Sequence, residues 1–186
     1  MPLIRETIVT TADRQGRIHI APLGLIAEGN DWIIAPFRPS VTLDNLMEVP
    51  FATASHTDDV RVFAGALTGR KGWPTAASEI VPVPRLADAL SHAELAVVEV
   101  KGDPQRPRFR CRVERLISHR PFEGFNRAQA AVLEAAILVS RLHLLPREKI
   151  ERELAYLGSA VDKTAGPREA EAWAWLTDKV HAHFNS

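Results

Sequence analysis

A single cysteine, Cys111, is all the thiol chemistry the 186-residue chain possesses. No intramolecular disulfide can form, and no thiolate cluster can hold a metal. Net charge is also lacking, because 23 Lys and Arg balance 23 Asp and Glu. A dedicated nucleic-acid binder usually carries a basic excess, so that class is set aside. No uncharged apolar run approaches the roughly 20 residues of a membrane helix. The first residues, "MPLIRETIVTTADRQGR", lack the charged start and apolar core of a signal peptide. The expectation is a soluble, cytoplasmic protein with neither a membrane nor a nucleic acid as partner. Missing too are a Walker sequence, a dinucleotide fingerprint, an internal repeat and a low-complexity tract.

What is present changes period along the chain. "IRETIVTTAD" and "RIHIAPLGLI" read as strands joined by "DRQG", where Gly16 can take a positive φ. "EGND" turns the chain into "WIIAPF", and "PFATASHT" is a fourth strand. "AELAVVEVKGD" and "PRFRCRVERLISH" form a long hairpin, in which Phe109, Cys111 and Val113 alternate with arginines. From residue 125 the pattern becomes helical. "NRAQAAVLEAAILVSRLHLL" has Asn126 and Gln129 at capping-box spacing. "PREKIERELAYLG" offers Pro146 as a start and Gly158 as an end, with Ile150, Leu154 and Leu157 on one stripe. "GPREAEAWAWLTDKVHAHF" presents Trp173, Leu176, Val180 and Phe184 on one face. These readings predict an α+β protein, with six mostly antiparallel strands over 1–120 forming a β-barrel or a strongly coiled sheet. A C-terminal three-helix subdomain follows over 121–186. At this length folding buries about 70% of the unfolded surface, so no covalent staple is needed.

One stretch carries more polar groups than a helix start requires. In "RPSVTLDNL", residues 38–46, Arg38, Ser40, Thr42 and Asn45 crowd a strand-to-helix junction. Ser40 or Thr42 capping the helix would explain one hydroxyl. A phosphate would use all four side chains, held by the helix N-terminus and a bidentate arginine. Both readings stand on spacing alone.

Other clusters read more plainly. His181 and His183 do not share a helix face and suit a solvated tail. Arg106, Arg108, Arg110 and Arg112 line one side of a strand, where they coat the barrel or pair with acidic residues across strands. Glu134 and Arg141 share a helix face and predict a structural ion pair or an interface contact, and His143 is expected to pack beside leucines. Residues 68–84, with Arg70, Lys71 and Trp73, form either a surface loop or a lid over a ring. No Ser-His-Asp or paired-carboxylate constellation is present, and no metal site is expected.

"APLG" at 21–24, a strand, then "RPSVTLDNL" together resemble the flavin-binding split-barrel group related to flavin reductases and pyridoxamine phosphate oxidases. With "SHTDDVRVF" and "VLEAAILVSRLHLL" added, nearly the whole chain resembles a small family known only as a domain of unknown function. Its members carry an FMN-binding split barrel and a helical C-terminal region. The resemblance implies FMN as cofactor, with the backbone at Pro22, Leu23 and Gly24 against the isoalloxazine ring. Arg38, Ser40, Thr42 and Asn45 would hold its phosphate, and Thr57 and Asp58 would lie near the ribityl chain or the ring's polar edge. His19 and Ser55 depart from the pattern, standing where asparagines are expected. A homodimer is implied, since related barrels bind FMN at a dimer interface. The implied activity is that of a flavin reductase-like oxidoreductase with substrate and electron donor unspecified. The alternatives are a non-catalytic module for flavin, deazaflavin or haem, with His19 or His56 as iron ligand, and a structural dimer.

Overall fold

The computed structural model of the chain describes residues 2–185. These fall into two compact units: residues up to 57 with 73–122, and 58–72 with those from 123 onward.

The first unit is the barrel. Its strands are β1 (Ile4–Ala12), β2 (Ile18–Glu28), β3 (Asp31–Ile34), β4 (Phe51–His56), the short β5 (Thr75–Ala76) and β6 (Arg85–Leu86), then β7 (Ser91–Lys101) and β8 (Arg108–Ser118). Six of them close in the order β1-β2-β3-β8-β7-β4, and every neighbouring pair is antiparallel. The turn into β2 follows its sequence: Gly16 has φ +77°, and the Asp13 carboxylate accepts from the N–H groups of Gln15 and Arg17. Alternate residues face inward, so Val9, Leu25, Ile34, Ala54, Leu95, Phe109 and Cys111 make one core. Cys111 is fully buried, and burial pushes its thiol up to about 12. Helix α1 (Val41–Glu48) plugs one end of the barrel with Leu43 and Leu46. Each of these leucines contributes about 1.5–3 kcal/mol by leaving water. The Asn45 amide fixes the plug by donating to Thr11 Oγ1 at 3.0 Å.

Strand β2 is paired unequally on its two sides. Ile18 to Ile26 pair with β1, but only Ile26, Ala27 and Glu28 pair with β3. From Ile18 to Leu25 its second edge therefore has no strand partner among the described residues. Pro22 sits in that run, and a residue without an N–H belongs on such an edge. The barrel is nevertheless closed through this short β2–β3 pairing.

Residues 73–90 run over the outside of β4 and β7 as a strap. Thr53 Oγ1 donates to Pro84 O at 2.9 Å, and Leu86 N donates to Ser55 Oγ at 3.2 Å. The Glu94 carboxylate accepts from Glu79 N, Ile80 N and Val81 N at 2.7, 2.7 and 2.9 Å. Val81 and Val83 pack against Ala12 and Phe51. So many fixed contacts over residues 78–86 correct the lid reading for this part of the loop. Sequence spacing had no means of showing where its backbone hydrogen bonds go.

The second unit contains α2 (Arg61–Leu67), α3 (Arg127–Ser140), α4 (Arg147–Thr164) and α5 (Pro167–Phe184). Asn126 caps α3 as expected, accepting from Ala128 N and Gln129 N. The Gln129 side chain turns away from the capping box and donates to Glu169. Leu176 and Val180 are buried with Ile150, and Trp173, Phe184, Leu154 and Leu157 pack around them. Gly158 does not end α4, which continues to Thr164. Helix α2 was not legible, being too short for a periodic stripe. Val60 and Ala64 place it in the same core as Val132 and Ala135, so 58–72 packs with the helices although the linear division at 120 left it with the barrel.

Burial raises the Glu94 carboxyl, but the donors on Glu79, Val81, Ile80 and His92 outweigh it and hold the group below its ordinary 4.5. Glu94→Gln turns an acceptor into a donor facing those N–H groups, and should cost about 1–3 kcal/mol. Because folding lowers this pKa, the contribution is present above pH 4.5 and fades as pH falls through the folded value. Urea unfolding of wild type and variant should therefore differ at pH 7 and converge in acid.

Candidate functional site

The polar groups of 38–46 divide between two surroundings. Ser40 is the N-cap of α1, its hydroxyl accepting from Leu43 N at 3.3 Å. Arg38 is exposed, and its backbone N–H donates to Gln105 O at 2.8 Å. No partner holds its guanidinium among the described residues. Thr42 and Asn45 are buried at 3% and 5% exposure, Asn45 being bonded to Thr11. The structure thus brings Arg38 and Ser40 together at the helix start and turns Asn45 toward the barrel end. A second guanidinium lies close: Arg106 stacks 4.7 Å over Phe37 and donates to Ala35 O at 2.7 Å. Asp44, in the first turn, opposes an anion there.

Pro22, Leu23 and Gly24 lie opposite Ile8, Thr7 and Glu6, half-buried, on the stretch of β2 with the unpaired edge. Leu23 points inward, and its carbonyl accepts from Thr7 Oγ1 at 2.9 Å. Gly24 has a local reason to be glycine, since a Cβ would stand 2.8 Å from Ile4 Cγ2. Helix α1 meets β1 at Thr11, whose partner on β2 is His19. The three steps from His19 to Pro22 span about 10 Å at strand spacing. One elongated ligand along β2 would reach from the helix start to this edge. Thr57 closes the first unit, its hydroxyl donating to Asp88 O at 3.4 Å, while Asp58 belongs to the second. Ser55 is occupied by the strap, and His19 sits on the inner row of β2.

The end of the barrel opposite α1 was not singled out from sequence. The inner rows continue there as Arg5, Trp32, His56, Ser91, Ala93 and Val113, and line a cavity of about 560 Å³. His56 Nδ1 lies 3.0 Å from Ser91 Oγ. Burial, then the charges of Arg5 and His92, lower the His56 pKa and favour a neutral ring. Inward alternation of Ala52, Ala54 and His56 was the signal that could have found this mouth. On the strap side, buried His92 joins Glu94 at 3.3 Å and stacks on exposed His119, whose Nε2 is 2.9 Å from His92 Nδ1. Burial also lowers the pKa of His92.

The remaining clusters are ordinary surface. Arg110 pairs across strands with Glu99 at 2.9 Å and with Asp31 at 2.8 Å, as the arginine row predicts. No ion pair joins Glu134 to Arg141 among the described residues, and both are exposed. His143 is exposed rather than packed, because the helix ends before it. His181 and His183 are exposed on α5. No group of three metal-ligating side chains occurs among the described residues, and no described helix is long and apolar enough to cross a membrane.

Two family models match the chain. Residues 5–120 match the N-terminal domain of a protein of unknown function, DUF447, and residues 126–178 match the model described as protein of unknown function, DUF447. Among solved structures, the chain is similar to an FMN-bound protein of Methanosarcina mazei, described under the same family model. That likeness has 19% identity and a TM-score of 0.83, and covers 96% of each chain. It is also similar to the 2-nitrobenzoate 2-nitroreductase of Pseudomonas fluorescens, at 20% identity over 64% of this chain and 66% of that one, with a TM-score of 0.54. A homologue of nitrilotriacetate monooxygenase component B from Mycobacterium thermoresistibile has 15% identity, 63% and 70% coverage and a TM-score of 0.55. At these identities the likenesses establish the fold.

Ser40 and Arg38 should separate in stability. Ser40→Ala removes the cap of α1 and should lower unfolding stability by about 1 kcal/mol. Arg38→Ala removes an exposed side chain and should stay within about 0.5 kcal/mol of wild type in the same urea titration.

Proposed function

The chain belongs to the DUF447 family over both its parts, and on that premise we propose that it is an FMN-binding flavoprotein of flavin reductase-like type, acting as an oxidoreductase. One observation carries the reading: β2 has an open edge beyond its three pairs with β3, and the chain leaving β3 leads to a capped helix start preceded by an uncommitted guanidinium. A flavin mononucleotide needs both features, a phosphate grip at one end and backbone donors and acceptors for a planar ring at the other. The residues present fit it. Arg38 and the first N–H groups of α1 grip the phosphate, with the Ser40 hydroxyl at the same helix start. The backbone at Pro22, Leu23 and Gly24 lies along the ring. Thr42 and Asn45 act from behind, by holding α1 on the barrel.

Two of the similar structures support the coarser class. The protein of Methanosarcina mazei is FMN-bound, and the Pseudomonas fluorescens protein is a nitroreductase. When bound, FMN supplies the hydride chemistry, which accounts for the missing protein nucleophile. This chain contributes position and exclusion of water. The protein acts as a homodimer in this reading, since Ile4, Ile18, Val98 and Val100 on its strands are 41–52% exposed.

FMN and riboflavin titrations provide the test. Wild type should prefer FMN, and Arg38→Ala should weaken FMN about ten- to 150-fold, equivalent to roughly 1.5–3 kcal/mol, with little effect on riboflavin. An unchanged FMN preference in Arg38→Ala would leave residues 38–46 as a helix start only. Light scattering should report twice the chain mass of 20.6 kDa, and a monomer at every workable concentration removes the dimer.

A further inference from the structure

The barrel mouth combines unopposed positive charge with an apolar wall. Its lining residues include the Arg5 guanidinium, the polar but uncharged ring of His56 and no carboxylate. No partner holds the Arg5 guanidinium among the described residues, and its charge reaches His56 closely enough to lower the ring's pKa. Arg120, also at the rim, is committed to Asp88 at 3.1 Å. Grooves in the helical unit differ in this respect. One contains Arg147, already paired with Glu151 at 2.7 Å, and another balances Arg127 with Glu134.

The wall is built by a fault in the sheet. On β8 the register with β7 slips between Glu94 and Leu95, whose partners are Arg115 and Val113. Without that bulge, regular alternation from Val113 would bring Arg115 and Ile117 to the inner row. With it, Leu116 and Ser118 line the mouth instead. Leu116 stands 68% exposed and Phe122 58% exposed, an unusual state for side chains of this size at a cavity.

We propose that the barrel mouth is a binding site for a small organic anion, an aryl carboxylate in chemical class. Its carboxylate meets the Arg5 guanidinium, which offers a bidentate grip. Ser91 engages Nδ1 of His56, leaving Nε2 as the ring nitrogen for the ligand. The ring system lies on Val113, Leu116 and Phe122. The cavity of about 560 Å³ suits a mono- or bicyclic acid. This site does not depend on the flavin reading: it uses none of the residues assigned to FMN.

Calorimetric titration of the full chain with 2-naphthoate, and with the uncharged 2-naphthamide, tests the assignment. 2-Naphthoate should saturate one site per chain and bind about tenfold or more tighter than the amide. Arg5→Gln, an exposed position whose variant should unfold at the wild-type midpoint, should reduce naphthoate to the level of the amide. Leu116→Ser should weaken both ligands, and Arg147→Gln should affect neither. Arg38→Ala should leave naphthoate binding unchanged while altering the preference for FMN, so the two sites fail separately. Absence of saturation by 2-naphthoate, or equal binding by wild type and Arg5→Gln, overturns the proposal.

Discussion

A proline in the middle of a long strand leaves one ladder hydrogen bond unmade and is at home where that strand has an open edge. Pro22 occupies such a place in β2, which keeps β1 along one edge and leaves the other open from Ile18 to Leu25. The barrel must therefore close through only three residue pairs between β2 and β3. The chain leaving β3 is thereby freed from the ladder. Residues 35–40 are held instead by Arg106 on Ala35 O and by the Arg38 N–H on Gln105 O. They lead from β3 to Arg38 and the capped start of α1. The proline, the short β2–β3 pairing and the separately held loop are thus consistent with one another.

The opposite side of the barrel is governed by a buried carboxylate. Glu94 is completely inaccessible, yet three backbone N–H groups and a histidine surround it. Such a group is tolerable only when fully satisfied. The strap is what satisfies it, and in return the strap gains an anchor that a polar loop could not find on an apolar sheet. Thr53 and Ser55 extend the same logic along β4, one donating to the strap and the other accepting from it.

Much of this was legible because it rests on local rules. Six strands announced themselves by alternation and turn residues, and three helices by apolar stripes and caps such as Asn126. The reading of Ser40 as a helix start was equally local. What sequence could not separate was the inward turn of Asn45 from the outward turn of Arg38, since both are polar residues in one short segment. Glu94 was invisible for the same reason: in "AELAVVEV" it looks like a solvent-facing position, and only the strap buries it. Helix α2 is seven residues long, and Gly158 suggested an end inside a helix that runs on to Thr164. The mouth depended on a register slip, which alternation alone cannot anticipate.

Cys111 gives the barrel an internal clock. Its thiol is inaccessible and shifted up to about 12, so at neutral pH it holds almost no thiolate and meets no reagent while the sheet is closed. Alkylation must wait for β8 to part from β3 or β7, its partners at Trp32 and Val97. As the chain has no second cysteine, each labelling event counts one such opening. Occupants of the seam or the mouth that bind only the closed barrel would slow that count in proportion to their affinity.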